Sequence, residues 1–288
     1  MTVELIIDAK ATLGESPSWD ESLQILYWVD IIGMKCLTYH PSTNQQKTIQ
    51  FDQMVGAVAP KENRGLIIAL ENGFYGLDDL KETPYLIMQS ETSKSGNRFN
   101  DGKCDPAGRF WAGTMSLNGD KEMGALYCLN LDLAVSKKLD RISISNGLAW
   151  SPDNKYMYYI DTPTQNVVKF DYDVETGEIN NRQEIIAINP NEGYPDGMTI
   201  DQEGMLWIAH FGGGKVSRWD PTTGTHIQDV TVPALNVTSC VFGGEELNEL
   251  YITTAKMGDD QHEYAGGLFR IKTDVKGSPT YQFKGDLR

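Results

Sequence analysis

Asp201-Gln202-Glu203-Gly204-Met205-Leu206-Trp207-Ile208-Ala209-His210 is the stretch on which the fold turns. Its first four residues are turn formers, and the run that follows is largely apolar and suited to a strand. Upstream lies Gly197-Met198-Thr199-Ile200, so the local reading is strand, tight turn, strand. Downstream, Lys215-Val216-Ser217-Arg218-Trp219-Asp220 and Pro221-Thr222-Thr223-Gly224 read as a third strand and a further turn.

The same arrangement recurs along the chain. Its second-strand segment begins at Leu26, Leu66, Phe110, Met157, Leu206 and Leu250, at spacings of 40, 44, 47, 49 and 44 residues. Turns such as Asp105-Pro106-Ala107-Gly108 and Ser151-Pro152-Asp153-Asn154 precede the copies, and long helical periodicity is absent. Four strands in each unit of about 45 residues is the spacing of a propeller blade. Six units use nearly all of the 288 residues. The expected fold is therefore all-β, a six-bladed β-propeller with four antiparallel strands per blade, one domain over residues 1–288. Closing the ring predicts that Val3–Ile7 pairs with strands of the last blade.

Composition narrows the function classes. The chain carries 25 Lys and Arg against 40 Asp and Glu, a formal net charge of −15, with no basic cluster. That balance argues against nucleic acid and against anionic membrane surfaces as partners. No apolar run approaches the roughly 18 residues that span a bilayer, and Met1–Lys10 lacks the basic start of a signal peptide. The reading is a cytoplasmic protein with no obligate protein partner. Cys36, Cys104, Cys128 and Cys240 lie far apart and are expected to be reduced, half-buried strand residues. The four histidines are equally scattered, which disfavours a zinc site built on His or Cys.

In a propeller the first strand of each blade lines the central channel, so residues entering those strands converge at one mouth. That position holds Glu15, Asn100-Asp101, Asn146 and Asp196 in four repeats, and Val55-Gly56 and Thr238-Ser239 in the other two. Oxygen donors without sulfur or imidazole suit a hard divalent cation: Ca²⁺ first, with Mg²⁺, Mn²⁺ or Zn²⁺ as competitors. Asn-Gly and Asp-Gly are also common turn dipeptides, so any one of these positions taken alone reads more readily as a turn, while the four together read as a metal site. Arg98 stands beside the same mouth, either as a structural ion pair or as a planar fork for substrate oxygens.

These residues resemble a known family. Gly14-Glu15-Ser16-Pro17, Asn97-Arg98-Phe99-Asn100-Asp101-Gly102-Lys103, Ser145-Asn146-Gly147-Leu148-Ala149-Trp150 and Pro195-Asp196-Gly197-Met198 are similar to motifs of the regucalcin (senescence marker protein) and gluconolactonase family. Matches run from Gly14 to about Gly267. The resemblance implies a propeller hydrolase with one divalent cation on its axis. It implies Glu15, Asn146 and Asp196 as metal ligands, Arg98 and Asn100 as substrate contacts, and Asp196 as proton acceptor. One departure stands out: where regucalcin-like members carry an acidic substrate contact after the Gly-Thr-Met segment, Asn118 takes the nearest matching place.

The expected reaction is hydrolysis of a sugar lactone to its aldonic acid, with the cation polarising the carbonyl and Asp196 as general base. Nucleophilic serine catalysis is disfavoured, since Gly14-Glu15-Ser16-Pro17 is no GxSxG elbow. The competing readings are a calcium-dependent phosphoesterase on the same scaffold and a non-catalytic calcium-binding propeller. Asp120, Glu122 and the segment Asp259–Tyr264 are candidates for a rim or lid.

Overall fold

Six four-stranded antiparallel sheets follow one another along the chain, each assembled from consecutive strands except the last. The structure, a computed structural model, describes residues 2–80, 82–90 and 96–285. Numbered in chain order, blades 1 to 6 have the inner strands Gly14–Asp20, Val55–Pro60, Asn97–Cys104, Ser145–Trp150, Tyr194–Ile200 and Asn236–Gly243. The repeat read from the sequence is thus the blade, and its second strand is the apolar segment that made it visible. No helix among the described residues is long and apolar enough to cross a membrane.

Blade 6 takes its outer strand from the other end of the chain. Glu4–Ile7 pairs antiparallel with Leu268–Lys272, with Glu4 opposite Arg270, Leu5 opposite Phe269 and Ile7 opposite Leu268. This is the expected latch. It joins the first strand of the chain to the last in one sheet, which closes the ring. Apolar contact closes the same seam, where Trp19 of blade 1 stacks on Tyr251 of blade 6 at 5.7 Å between ring centroids.

Each blade is held to its turn by a buried carboxylate where the repeat places Asp six residues before Trp. Asp201 Oδ2 accepts from Trp207 Nε1 at 2.9 Å and from Arg218 Nε at 2.8 Å, while its Oδ1 accepts the amides of Glu203 and Met205. Asp105 repeats the arrangement with Trp111 Nε1 at 2.9 Å, Tyr172 at 2.8 Å and Arg109 at 3.1 Å. Removing one partner of such a buried pair strands the other. Asp201→Ala is expected to cost about 3 to 5 kcal/mol, read as a lowered denaturation midpoint. Asp153→Ala, in an exposed turn, is expected to cost within about 1 kcal/mol.

The C-terminal segment crosses the channel at the far ends of the inner strands. Ser278 N donates to Ile200 O in blade 5, Gly277 N to Leu247 O in blade 6, Phe283 N to Pro60 O in blade 2, and Lys284 N to Gly108 O in blade 3. Phe283 is fully buried against blades 2 and 3. The channel is therefore strapped at one end, and ligands reach it from the other.

The cysteines correct the sequence reading. All four are free, and all are fully buried rather than half-buried, because each sits on a strand covered on both faces by neighbouring blades. Burial pushes their thiols above the ordinary range.

Candidate metal and substrate site

All six inner strands break register at the same level. The slips fall between Glu15 and Ser18, Val55 and Ala57, Phe99 and Gly102, Asn146 and Leu148, Pro195 and Met198, and Val237 and Ser239. A bulge turns a side chain out of strand alternation. Here the bulge level carries Glu15, Asn100, Asn146 and Asp196, and all four line one cavity with Arg98 and Thr162. The cavity has a volume of about 310 Å³ and opens at the end away from the C-terminal strap.

The glycines beside the site residues do not make turns. Gly147 and Gly197 lie within inner strands and take no left-handed φ. A Cβ on Gly147 would stand 2.8 Å from Asp196 O, and one on Gly197 would stand 2.0 Å from Ser239 Oγ. These glycines are needed because adjacent inner strands approach closely at the axis. The turn reading of Asn146-Gly147 and Asp196-Gly197 is thereby set aside.

Glu15 is fixed by its neighbour. Ser16 holds φ of 45°, a left-handed conformation uncommon for a residue other than glycine. In that conformation Ser16 N donates to Glu15 Oε2 at 2.8 Å. The Ser16 hydroxyl lies 2.9 Å from both Gly56 O and Asp101 Oδ1, so it ties blades 1, 2 and 3 together. It is committed to structure, and no histidine lines the cavity among the described residues.

Asn100 and Asn146 form a linked pair. Asn100 Nδ2 donates to Ser145 O at 2.8 Å and to Asn146 Oδ1 at 3.1 Å. Asn146 Nδ2 donates to Thr162 Oγ1 at 2.8 Å, and that hydroxyl passes its own proton to Pro195 O. The chain of bonds fixes the orientation of the Asn146 amide, with its oxygen facing Asn100 and its nitrogen facing Thr162. Arg98 Nη1 donates to Asn100 Oδ1 at 2.7 Å and to Phe99 O at 2.9 Å, and its remaining N–H groups have no partner among the described residues.

The electrostatics are those of a site waiting for positive charge. Burial, then repulsion from Asp196 and Asp101, holds the Glu15 carboxyl well above the usual range. Asp196 is raised well above it too, first by burial and then by Asp101, although a hydrogen bond from Glu15 and the Gly197 amide oppose the shift. Asp101 is raised by burial against the pull of Lys103. Burial lowers Arg98 to about 10 despite Glu15 and Asp196. Asp196 Oδ1 is buried and has no hydrogen-bond partner among the described residues, a costly state for a carboxylate oxygen. Among the described residues no group of three or more His, Cys, Asp or Glu side chains is arranged to hold a metal. The donor set here consists of two carboxylates and an amide oxygen. An orphaned carboxylate oxygen, a second raised carboxyl and an oxygen-only donor set fit a hard divalent cation.

Asn118 is placed apart from the others. It stands exposed on the turn after Phe110–Ser116, its amide bonded to Ser116 Oγ at 3.1 Å, and it does not line the cavity. Of the rim candidates, Glu122 pairs with exposed Arg141, and buried Asp259 accepts from Leu235 N and bonds His262, which are structural roles. The walls of the cavity were not foreseen. They come from Leu13, Met115, Ile144, Tyr194, Phe211 and Met257, at strand ends and loops where no repeat position flagged them.

Fold and site together define a six-bladed propeller with an acidic, oxygen-donor centre on its axis. The model of the SMP-30/gluconolactonase/LRE-like region matches residues 13–256, and the chain belongs to that family. It is 41% identical, over the full length of both chains, to YvrE of Bacillus subtilis (strain 168), provisionally named a sugar lactone lactonase. It is 42% identical to regucalcin of Danio rerio across 98% of each chain. Among solved structures, a regucalcin of Agrobacterium tumefaciens, described as a calcium-binding protein, superposes with a TM-score of 0.93 at 27% identity, over 98% of this chain and 97% of that one.

Proposed function

We propose that this protein hydrolyses a sugar lactone to the open aldonic acid, at a site where Glu15, Asn146 and Asp196 hold one divalent cation, Ca²⁺ first. The observation that carries the reading is the buried, unpartnered Asp196 Oδ1 facing a raised Glu15 carboxyl in a cavity open to solvent. Membership of a family with relatives named lactonase supports the substrate class, and similarity to a regucalcin described as calcium-binding supports the cation.

A bound cation supplies Lewis-acid polarisation of the acyl carbonyl. The chain does the rest. The Asp196 carboxylate accepts a proton from the attacking water as the water oxygen bonds to the carbonyl carbon. That proton passes to the ring oxygen as the acyl C–O bond breaks, giving a hydroxy acid that releases its carboxyl proton at neutral pH. Arg98 presents its uncommitted N–H groups to substrate oxygens, and Asn100 steadies it while keeping one lone pair for a hydroxyl. Both amide protons of Asn100 are spent within the protein, so its contribution is mainly positioning. Asn118 would reach a substrate only from the rim.

The test is acid release from D-glucono-, D-xylono- and L-arabinono-lactones by EDTA-stripped protein, before and after Ca²⁺, Mg²⁺, Mn²⁺ or Zn²⁺ is returned. Metal-restored release well above the spontaneous rate is expected. Silence on all three lactones, in protein shown by calorimetry to bind a cation, would sink the proposal.

A further inference from the structure

The walls of the site are at odds with a fully hydroxylated substrate. Above the polar floor the cavity is faced by Leu13, Met115, Ile144, Tyr194, Phe211 and Met257, drawn from blades 1, 3, 4, 5 and 6. Apart from the Tyr194 phenol and the weakly accepting sulfurs of Met115 and Met257, none of these side chains offers a hydrogen-bonding group to a hydroxyl. Tyr194 and Met257 are 52% and 46% exposed, so the apolar surface extends from the buried floor to the mouth.

The polar floor has little left to give. Thr162 Oγ1 both accepts from Asn146 and donates to Pro195 O. Asn100 spends both amide protons on Ser145 O and Asn146 Oδ1. The Ser16 hydroxyl is held between Gly56 O and Asp101. Among the described residues this leaves the outer N–H groups of Arg98, one lone pair of Asn100 Oδ1 and the carboxylate oxygens of Glu15 and Asp196, and the two carboxylates are claimed by the cation. An aldonolactone brings several hydroxyls in addition to its carbonyl. Those pointing at the walls would lose water and gain no partner, which costs binding. An alkyl or aryl substituent in the same place would release water from apolar surface on both sides.

Resting on the lactonase reading above, we infer that this site hydrolyses lactones whose ring carries an apolar substituent, with kcat/KM at least equal to that for a sugar lactone of the same ring size. The carbonyl and ring oxygen occupy the floor by Asp196 and Arg98. The substituent lies along Met115, Phe211, Tyr194 and Met257 toward the mouth. The bonds made and broken are those of the parent reaction, with water as the only co-reactant.

The experiment compares 5-butyl-δ-valerolactone with D-glucono-1,5-lactone by proton release on Ca²⁺-loaded protein, in wild type and in the Tyr194→Ser/Met257→Ser double variant. Both wild-type residues are exposed at the mouth, and thermal denaturation checks that the variant is folded. The expected result is a wild-type alkyl-to-sugar ratio of kcat/KM of one or more, falling about tenfold in the variant. A wild-type ratio below one, the sugar lactone preferred, would overturn the inference while leaving the lactonase reading in place. A ratio that the variant does not move would also overturn it, because the walls would then not be what recognises the substituent. No turnover of either lactone by Ca²⁺-bound protein would bring down the lactonase reading and this inference together.

Discussion

Asp196→Asn is expected to lower lactone turnover by about a thousandfold, within the range found for removing a general base. The substitution keeps the side chain's shape, so the effect isolates charge and basicity. Asp196 lies on the inner strand of blade 5, fully buried, with Gly197 N bonded to it and Ser239 packed under Gly197. An amide fits that space. It cannot take a proton from water, and it presents an N–H toward Glu15 or toward the cation. The measurement is single-turnover acid release at saturating Ca²⁺, so that weakened metal binding is separated from lost chemistry. A variant retaining more than a tenth of wild-type turnover, with metal bound, would show that another group accepts the proton. Arg98→Lys provides the contrast. It keeps the charge and loses the planar fork, and is expected to raise KM more than it lowers kcat.

The residues that made the fold readable are those under the same demand in every blade. Second-strand segments such as Leu206–Phe211 are buried on both faces, so they are apolar in each repeat, and the turn before them needs Asp, Asn or Gly. The latch followed from ring closure alone. Glu15, Asn100, Asn146 and Asp196 are legible because they share one level of the inner strands, with Arg98 beside it, and the structure brings all five to one cavity. What escaped was whatever does not repeat. The walls are built by Met115, Tyr194, Phe211 and Met257, each from a different strand end or loop and recognisable only once the ring is closed. The strap by Gly277–Lys284 lies outside the repeats altogether. Asn118 takes the nearest matching place after the Gly-Thr-Met segment, yet a turn carries it out of the cavity wall. The left-handed Ser16 gave no signal because serine is an ordinary residue whose backbone is bent here by the bulge.

The second large effect concerns the cation and pH. Glu15 and Asp196 have folded-state pKa values raised above their unfolded ones, first by burial, then by repulsion from Asp196 and Asp101 for Glu15 and from Asp101 for Asp196. Groups raised in this way lend full stability below their unfolded values and lose it as pH rises through the folded values. Metal-free protein is therefore expected to grow less stable from about pH 5 toward pH 8 as the pair is forced to ionise. A divalent cation reverses the balance, since it binds the ionised pair and displaces its protons. The rise in Tm on adding Ca²⁺ is expected to be larger at pH 8 than at pH 5.5, and calorimetry in buffers of different ionisation enthalpy should register proton release on binding. Glu15→Gln sharpens the argument. With one carboxylate gone, the metal-free variant is expected to be more stable than metal-free wild type at pH 8, because a buried repulsion has been removed. The same variant is expected to bind Ca²⁺ at least a hundredfold more weakly, about 2.7 kcal/mol. A stabilised apoprotein that no longer gains from calcium is a signature that a merely structural glutamate would not produce. If Glu15→Gln instead destabilised the metal-free protein at pH 8 and left the calcium effect intact, Glu15 would be a structural acid and the cation would have to be held elsewhere.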